Sequence, residues 1–239
     1  MTSQHKTMLC VFAHPDDESF GPGGTLAKYA ASGTRIITIS TTRGEGSSLG
    51  HEEHKEHLGD VRVAEMQCAS EVLGLKESRV LDYPDTKLDE VDEDELRDLF
   101  LRAILDIEPD MVMAFEPHGI TGNPDHIAIT RASTEAISLM RIDQRPDLFY
   151  WGLTEPAAQR LKEISGIPFA GLESGAINTI IDTSAHLGTH WKAIRCHKSQ
   201  SDPLPPFLTE IFELQDGKEY FVKTNASTKN DPFATDFFS

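Results

Sequence analysis

The chain has 239 residues, of which 38% are hydrophobic and 26% charged, a composition that supports a folded domain with a full hydrophobic core. Its formal net charge of −17 argues against binding to nucleic acid or to an anionic membrane surface. The sequence has neither an apolar run long enough to span a bilayer nor a secretory signal, so we expect a cytoplasmic protein. Three scattered cysteines, Cys10, Cys68 and Cys196, argue against a disulfide framework and are predicted to be reduced thiols.

Strands and helices alternate along most of the chain. The apolar run from Met8 to Ala13 predicts a strand buried on both faces, a helix that ends at Gly33 follows, and the β-branched run from Arg35 predicts a second strand. The remaining predicted elements are, in chain order, a helix from Val61 to Gly74, a strand at RVLDY, a helix from Leu96 to Ile107, a strand at MVMAF, a helix from Pro124 to Met140, strands at LFYWG and INTIID, and a helix from His186 to Ser199. This alternation predicts an α/β fold with a doubly wound, mostly parallel sheet and helices on both faces.

The chain shows no internal repeat, low-complexity tract or linker, so we expect a single domain over residues 1–239. Its core is expected to span about residues 7–200, with a C-terminal extension over about 201–239. The acidic stretch from Asp89 to Asp98 is typical of a helix start, where negative side chains complement the positive end of the helix dipole. The polar tail from about Lys223 ends in three phenylalanines, which we expect to dock on a neighbouring subunit or on the same chain.

Two loops that follow predicted strands hold the residues that can carry chemistry. In an open α/β sheet, ligands bind beyond the carboxyl ends of the strands. His14, Asp16 and Asp17 follow the first strand, and His126 follows the strand MVMAF. Two imidazoles and the Asp17 carboxylate can hold a divalent metal and leave positions open for water and substrate. Asp16 would remain beside the metal without binding it, which suits a general base that deprotonates an activated water.

Helix capping is the alternative explanation for both loops. Asp16 or Asp17 can cap a helix, but capping explains one aspartate and not the full run His-Pro-Asp-Asp-Glu. In the second loop, the tripeptide Asn-Pro-Asp that begins at Asn123 forms a good helix start. That start would place His126 in the first turn with its side chain free to face the cleft, so capping and metal binding are compatible.

Five motifs along the chain form a specific combination. They are AHPDDE, the TTRGEG loop, the segment LGDVRVAEMQCASEVLG, the GITGNPDH loop and the late HKSQ, and they span residues 8 to about 200. This combination resembles the PIG-L/LmbE-like family of zinc-dependent de-N-acetylases. The resemblance implies a Rossmann-like α/β fold and hydrolysis of an N-acetyl group on a small-molecule substrate, typically a glycoside that contains N-acetylglucosamine.

The resemblance also implies roles for residues of the two loops. His14, Asp17 and His126 would bind zinc, with ferrous iron as the alternative metal, and Asp16 would be the general base. The family commonly has His-Pro-Asp-His where this chain has Asn123 at the first position, and that histidine is thought to help stabilise the oxyanion. Loss of an oxyanion donor typically costs about 10² to 10³ in rate.

This departure leaves three outcomes open. Asn123 donates a hydrogen bond as a neutral group, His118 takes the same role, or catalysis is slower. We favour the first, with Asp16 returning the proton it accepted to the leaving amine.

Three further residues are predicted to act in substrate binding. By resemblance, Arg62 would approach the substrate and Asp125 would adjust the surroundings of the metal ligands. Arg43 follows the second strand at the same edge of the sheet. It either contacts substrate or forms a salt bridge with Glu45 or a neighbouring acid.

Two weaker histidine signals receive ordinary explanations. His51, His54 and His57 lack the spacing of H-E-x-x-H, and we expect a solvated segment near the cleft that can close over substrate. His197 is expected to be a core or interface histidine with a satisfied partner.

Three rival functions remain open at this point. An amidase for larger N-acyl or thiol-conjugate glycosides would share the chemistry, because the substrate pocket is built from variable loops. A non-haem Fe(II) oxygenase would use the same ligand types, although the β/α alternation argues against its usual scaffold. A non-catalytic sugar-binding protein is disfavoured because Asp16 stands beside a complete ligand set. A homo-oligomer also remains open.

Overall fold

The structure is a computed structural model and describes residues 6–47, 56–202, 205–224 and 233–238. The strands of these residues are β1 (Thr7–Phe12), β2 (Arg35–Thr42), β3 (Glu77–Tyr83), β4 (Met111–Phe115), β5 (Asp147–Thr154), β6 (Gly171–Leu172), β7 (Thr179–Asp182) and β8 (Lys218–Lys223). They form one sheet in the order β3-β2-β1-β4-β5-β8-β7, with β6 paired to β5 outside this path. Neighbouring strands are parallel except for β8, which is antiparallel to β5 and to β7.

Helices cover both faces of the sheet. They are α1 (Asp17–Phe20), α2 (Gly23–Ala31), α3 (Leu58–Leu73), α4 (Glu93–Ile107), α5 (Gly119–Gly122), α6 (Pro124–Leu139), α7 (Glu155–Ser165), α8 (Leu187–Ile194), α9 (Lys198–Ser201) and α10 (Pro206–Gln215). None of the described helices has both the length and the apolar sequence that crossing a bilayer requires.

Alternate residues of β1 enter two different hydrophobic cores. Met8, Cys10 and Phe12 pack with residues of α2, α3 and α8 on one face of the sheet. Leu9 and Val11 pack with residues of α4 and α6 on the other face. Because successive side chains of a strand point to opposite faces, this central strand is buried on both sides. The predicted doubly wound, mostly parallel α/β fold is confirmed.

Helix ends follow the local sequence closely. The side chain of Asp92 accepts hydrogen bonds from backbone N–H groups in the first turn of α4, as the acidic stretch predicts. The Asn123 side chain accepts from the N–H of Asp125, and proline occupies the first position of α6. Gly74 ends α3 with a φ of 78°, a left-handed conformation that favours glycine.

The C-terminal third departs from the predicted elements. The helix predicted from His186 to Ser199 is interrupted at 195–197, which divides it into α8 and α9. The sequence patterns do not predict α7, α10 or β8. Strand β8 lies in the predicted C-terminal extension over 201–239 but pairs inside the sheet, between β5 and β7. The sheet therefore continues well beyond the last predicted element.

The prediction that all three cysteines are reduced thiols is wrong for two of them. Cys68 on α3 and Cys196, just after α8, form a disulfide across 128 residues of sequence, whereas Cys10 is free and buried. Helix α3 packs against helix α8, which ends two residues before Cys196. Sequence spacing did not indicate the pair because the fold brings the two segments together.

The phenylalanine-rich tail docks on its own chain. Phe237 is buried, its ring stacks on that of Tyr29 at 5.0 Å between centroids, and its backbone N–H donates to the Tyr29 hydroxyl. Phe149 and Phe221 complete the contact with ring centroids at 4.6 and 4.8 Å. The end of the chain thereby covers the side of the sheet that β5 and β8 form.

Candidate metal centre

Three side chains from the loops after β1 and β4 converge at the carboxyl edge of the sheet. His14 Nδ1 lies 3.1 Å from His126 Nε2, and His126 Nε2 lies 3.3 Å from Asp17 Oδ1. One ligand atom from each of the three residues lies within 4.8 Å of the others. In a tetrahedral zinc site with bonds of about 2.0 to 2.2 Å, ligand atoms are about 3.3 to 3.6 Å apart. The donor set therefore fits a divalent metal in both chemistry and spacing.

The other polar atoms of these residues are already hydrogen-bonded, which fixes their orientation. Asp17 Oδ2 accepts from the backbone N–H groups of Ala13 and His14, at 3.1 and 2.9 Å. His126 Nδ1 lies 3.2 Å from the carbonyl oxygen of Gly119, so it carries the proton and leaves the Nε2 lone pair for a metal. Each residue thus turns one unoccupied donor atom toward the same point.

His14 is oriented by two buried carboxylates. Its Nε2 lies 3.1 Å from Asp125 Oδ2 and 3.2 Å from Asp85 Oδ1, so Nε2 carries the proton and Nδ1 is the donor atom. Asp125 itself accepts from the backbone N–H groups of Thr86 and Leu88. A second candidate group of His14, Asp85 and Asp125 also meets metal spacing, but backbone N–H groups already occupy its carboxylates.

Asp16 stands beside these ligands in a different environment. It is buried, it has a φ of 130°, and its Oδ2 accepts from Arg62 Nη2 at 2.8 Å. Arg62 is itself buried and also donates to the carbonyl oxygens of Pro15 and Gly44, both at 2.7 Å. The guanidinium therefore fixes Asp16 in two ways: it binds the carboxylate directly, and it binds backbone carbonyl groups of the neighbouring loops.

The carboxylates of the site differ in pKa because their neighbours differ. Burial raises the pKa of Asp16 to about 6, although Arg62 opposes the shift. Burial acts in the same direction on Asp17, but His126 and His14 outweigh it and lower its pKa to about 2. Among the described residues that line the cleft, three aspartates face one arginine. This excess of negative charge favours a bound cation.

The segment that leads from β4 to His126 has a strained backbone and is fixed by hydrogen bonds. Ile120 has a φ of 64°, which a β-branched residue rarely adopts. The buried Glu116 carboxylate accepts from the N–H groups of His118 and Ile120, at 2.7 and 2.6 Å. Strained backbone persists only where surrounding contacts impose it, and such positions cluster at functional sites.

A cleft of about 390 Å³ opens over these residues. The metal-ligand candidates lie at its centre, after β1 and β4. On the side of β2 and β3, which we call the polar half, it is lined by Gly46, Ser47, Arg62, Asp85, Thr86 and Gln200. On the side of β5, which we call the apolar half, it is lined by Phe115, Ile120, Trp151, Leu153, Phe169 and Ile211.

The two candidates for the oxyanion role lie in different places. Asn123 lines the cleft, and since its side-chain oxygen accepts from the Asp125 N–H at 2.9 Å, its NH₂ group is left as a donor. His118 is exposed and is absent from the described lining of the cleft. The structure thus brings Asn123 to the site and leaves His118 outside it.

The three residues predicted for substrate binding have different surroundings. Arg43 pairs with Asp60 and is not among the described lining residues, so the salt-bridge alternative describes it. Asp125 is buried, contacts His14 Nε2 at 3.1 Å, and is not among the described residues that line the cleft. Arg62 does line the cleft, although most of its hydrogen bonds serve Asp16 and the neighbouring loops.

Sequence reasoning missed several residues around the site. Asp85 follows β3, so the same rule about loops after strands could have identified it. Glu18 accepts from the Asp16 backbone N–H and from His197 Nε2, at 3.1 and 2.7 Å, and the side chains of Glu18 and His197 are fully buried. His197 is thus a core histidine with a partner, as predicted. His51 and His54 lie outside the described residues.

Comparisons with known proteins find similar sequences and similar structures. The family model described as PIG-L, GlcNAc-PI de-N-acetylase, matches residues 9–137. A 1D-myo-inositol 2-acetamido-2-deoxy-alpha-D-glucopyranoside deacetylase from Actinosynnema mirum is 31% identical over 81% of this chain and 80% of its own.

Solved structures with the same fold span nearly the whole chain. The conserved protein TT1542 from Thermus thermophilus has a TM-score of 0.70 and 25% identity, over 96% of this chain and 99% of its own. N,N'-diacetylchitobiose deacetylase from Pyrococcus horikoshii has a TM-score of 0.65 and 23% identity, over 92% of this chain and 83% of its own. The fold described above is therefore the fold of these proteins.

Proposed function

The chain belongs to the PIG-L family of GlcNAc-PI de-N-acetylases, and from that premise we propose that it is a metal-dependent hydrolase that removes an N-acetyl group from an N-acetylglucosamine-type sugar or glycoside. One observation carries the proposal. His14 Nδ1, Asp17 Oδ1 and His126 Nε2 converge within bonding reach of a single cation, with the buried Asp16 beside them.

Zinc is the proposed metal. Two histidines and one carboxylate form a donor set that catalytic zinc sites use, and ferrous iron is the alternative that the same set accepts. A bound divalent cation supplies Lewis acidity, which acidifies water and polarises the substrate carbonyl. His14, Asp17 and His126 would hold it, and Asp125 and Asp85 would keep the His14 imidazole in the required orientation.

Asp16 is the proposed general base. Its carboxylate is buried beside the proposed ligands, supplies none of the three ligand atoms, and is held by Arg62 Nη2 at 2.8 Å. It would take a proton from the attacking water and return that proton to the amine when the C–N bond breaks. Arg62 would hold the carboxylate in position through both events, because its guanidinium is fixed by two backbone carbonyl oxygens.

Asn123 is the proposed oxyanion donor, and the polar half is the proposed sugar site. The NH₂ group of Asn123 supports this role, since the capping bond uses only the side-chain oxygen. Ser47 and Gln200 are joined by a hydrogen bond of 2.7 Å, and together with Thr86 they offer donors and acceptors suited to sugar hydroxyls. A cytoplasmic location and the absence of nucleic-acid or membrane partners remain part of this proposal.

The decisive experiment measures free amine released from a panel of N-acetylated sugars and glycosides. We expect hydrolysis of N-acetylglucosamine-type compounds that chelator abolishes and that added zinc restores. No amine from any of these compounds, with a metal-loaded and folded protein, would overturn the proposal. If the chelator does not affect amine release, the reaction does not need the metal, and that part of the proposal is overturned.

A further inference from the structure

The two halves of the cleft differ in polarity, and a simple sugar substrate would need only the polar half. The sheet order places β1 and β4 at the centre, β2 and β3 on one side, and β5 on the other. The loops after β2 and β3, together with α3 and α9, supply the polar half, whereas β4, β5 and the segments packed on β5 supply the apolar half. The division therefore follows from the topology rather than from one side-chain conformation.

The apolar half begins directly at a candidate metal ligand. The ring of Phe115 lies 4.7 Å from the His126 ring and 5.6 Å from the Trp151 ring, measured between centroids. Leu153, two residues beyond Trp151, lines the same wall and is otherwise fully buried. A continuous apolar surface thus runs from the metal centre along β5.

A loop closes this surface at its far side. Phe169 lines the cleft, and the N–H of Ala170 donates to the carbonyl oxygen of Ile120, which ties this loop to the loop of the metal centre. Ile211 of α10 completes the wall. An acetyl group offers only a single methyl to this wall, which six side chains line.

The geometry of amide hydrolysis indicates what the apolar half binds. The carbonyl carbon of an amide carries three groups in one plane, namely the oxygen, the nitrogen with its sugar, and the acyl carbon. With the oxygen at the metal centre and the sugar in the polar half, the acyl carbon points to the opposite half. We propose that the apolar half is an acyl-binding subsite, and that the preferred substrates are amino sugars with an N-acyl chain longer than acetyl. This inference rests on the proposed hydrolase function.

The reaction itself is unchanged by a longer chain. Water adds its oxygen to the carbonyl carbon, the C–N bond breaks, the nitrogen receives a proton, and a fatty carboxylate leaves in place of acetate. What changes is the binding energy available in the transition state, because each buried methylene contributes to it.

A homologous substrate series tests the inference. Purified, metal-loaded protein is given glucosamine acylated with acetyl, butyryl, hexanoyl and octanoyl groups, and kcat/KM is measured for each. We expect kcat/KM to rise by up to about four-fold for each added methylene until the cleft is filled. If acetyl is hydrolysed best and longer chains are poorer, the inference is overturned while the proposed function stands. If no member is hydrolysed, both are overturned.

A second series separates the acyl chain from the aglycone. Methyl and octyl glycosides of N-acetylglucosamine carry the apolar group on the other end of the sugar. A rise in kcat/KM from methyl to octyl, without a rise along the acyl series, would assign the apolar half to the aglycone and overturn the inference. A rise along the acyl series alone supports it.

Two variants on one loop supply a matched pair. Phe169→Asp places a charge in the apolar half, and we expect the ratio of octanoyl to acetyl kcat/KM to fall at least about ten-fold, because the ratio cancels any loss of folded protein. Ile167→Asp is the control, since Ile167 is exposed and absent from the described lining of the cleft, and its ratio should not change. Phe169→Ala gives a milder decrease if the aspartate variant fails to fold. An unchanged ratio in both Phe169 variants would overturn the inference.

Discussion

Two buried clusters of acids and histidines in this molecule have opposite character. The first is the metal centre, where Asp16 and Asp17 meet His14 and His126 under an open cleft of about 390 Å³. The second, which we call the Glu219 cluster, lies where Glu219 of β8 meets the N-terminus of α2. The cavity beside it measures about 10 Å³, which is about the space of one water molecule.

The two clusters also differ in the hydrogen-bond partners of their polar atoms. In the Glu219 cluster, both carboxylate oxygens accept backbone N–H groups, from Gly24 and Thr25 at 2.9 and 3.1 Å. These N–H groups belong to the first turn of α2, so a side chain from a distant strand caps the helix. In the candidate metal centre, by contrast, His126 Nε2 lies 3.1 Å from His14 Nδ1 and 3.3 Å from Asp17 Oδ1, so these three atoms contact one another rather than backbone groups. The Glu219 carboxylate is thus held by backbone donors, whereas the three atoms of the candidate metal centre are held close to one another.

Removal of a proposed metal ligand should give the largest difference between the two clusters. We expect His126→Ala to lose the metal and all measurable hydrolysis, because the remaining donors cannot hold the ion in the cleft. Metal content by mass spectrometry and amine release check this. His186→Ala is the matched control, since its side chain is not among the described residues of the site. A variant that still copurifies with one equivalent of metal would remove His126 from the ligands.

Removal of the proposed base should lower turnover and leave the metal bound. We expect Asp16→Ala to lower kcat by about 10² to 10⁴ while metal content stays at the wild-type level. The Asp16 side chain lies beside the ligands, held by Arg62, and supplies no donor atom to the metal group. Turnover within about ten-fold of the wild type would show that another group accepts the proton.

The oxyanion position offers a comparison within one loop. We expect Asn123→Ala to lower kcat by about 10² to 10³, because the proposed donor at the cleft is lost. His118→Ala should change kcat by less than about two-fold, since this side chain is exposed and away from the described cleft. Steady-state kinetics on the same substrate decide between them, and the reverse ranking would return the role to His118.

The Glu219 cluster should affect stability and leave the chemistry intact. We expect Glu219→Ala to lower the free energy of unfolding by about 1 to 3 kcal/mol for each backbone donor left without a partner. Thermal unfolding measures the loss. The kcat of the folded fraction, corrected by active-site metal content, should equal that of the wild type. A selective loss of kcat without a loss of stability would place Glu219 in the catalytic machinery.

The pH dependence of stability tests the same residue. Burial raises the pKa of Glu219 to about 7 in the folded protein, from 4.5 for an ordinary glutamate. The folded state therefore holds a proton that the unfolded state has lost, and stability falls as pH rises from about 4.5 to about 7. Glu219→Gln removes this dependence. The free energy of unfolding of the variant, relative to that of the wild type, should therefore rise by up to about 1.4 kcal/mol per pH unit across that window. His190 Nδ1 lies 3.8 Å from Glu219 Oε1 and the two groups are coupled, so the comparison is made again in a His190→Gln background.

The sequence predicted the fold and the convergence of His14, Asp17 and His126 for identifiable reasons. Apolar runs at β1 and β4 set the strands, and the rule that ligands bind at their carboxyl ends joined His14 to His126 across the chain. Local capping signals such as Asn123 placed the helix starts. These features are local, and each is carried by a few adjacent residues.

What the sequence did not predict depends on contacts between distant segments. Strand β8 begins and ends with lysine, and it becomes part of the sheet only through its pairing with β5 and β7. The support of His14 by Asp85 and the hold of Arg62 on Asp16 join residues from different loops. The apolar half is assembled from β4, β5 and α10, so no single motif could have indicated it.

Because of the disulfide between Cys68 and Cys196, the stability of this chain depends on the redox conditions around it. It closes a loop with a sequence separation of 128 residues. In the chain-entropy model, a cross-link of that size raises the free energy of the unfolded state by about 4 to 5 kcal/mol. In a reducing compartment that contribution disappears, although every other contact is retained. The same polypeptide would then resist heat and proteases well after export or oxidation, and much less where glutathione keeps thiols reduced.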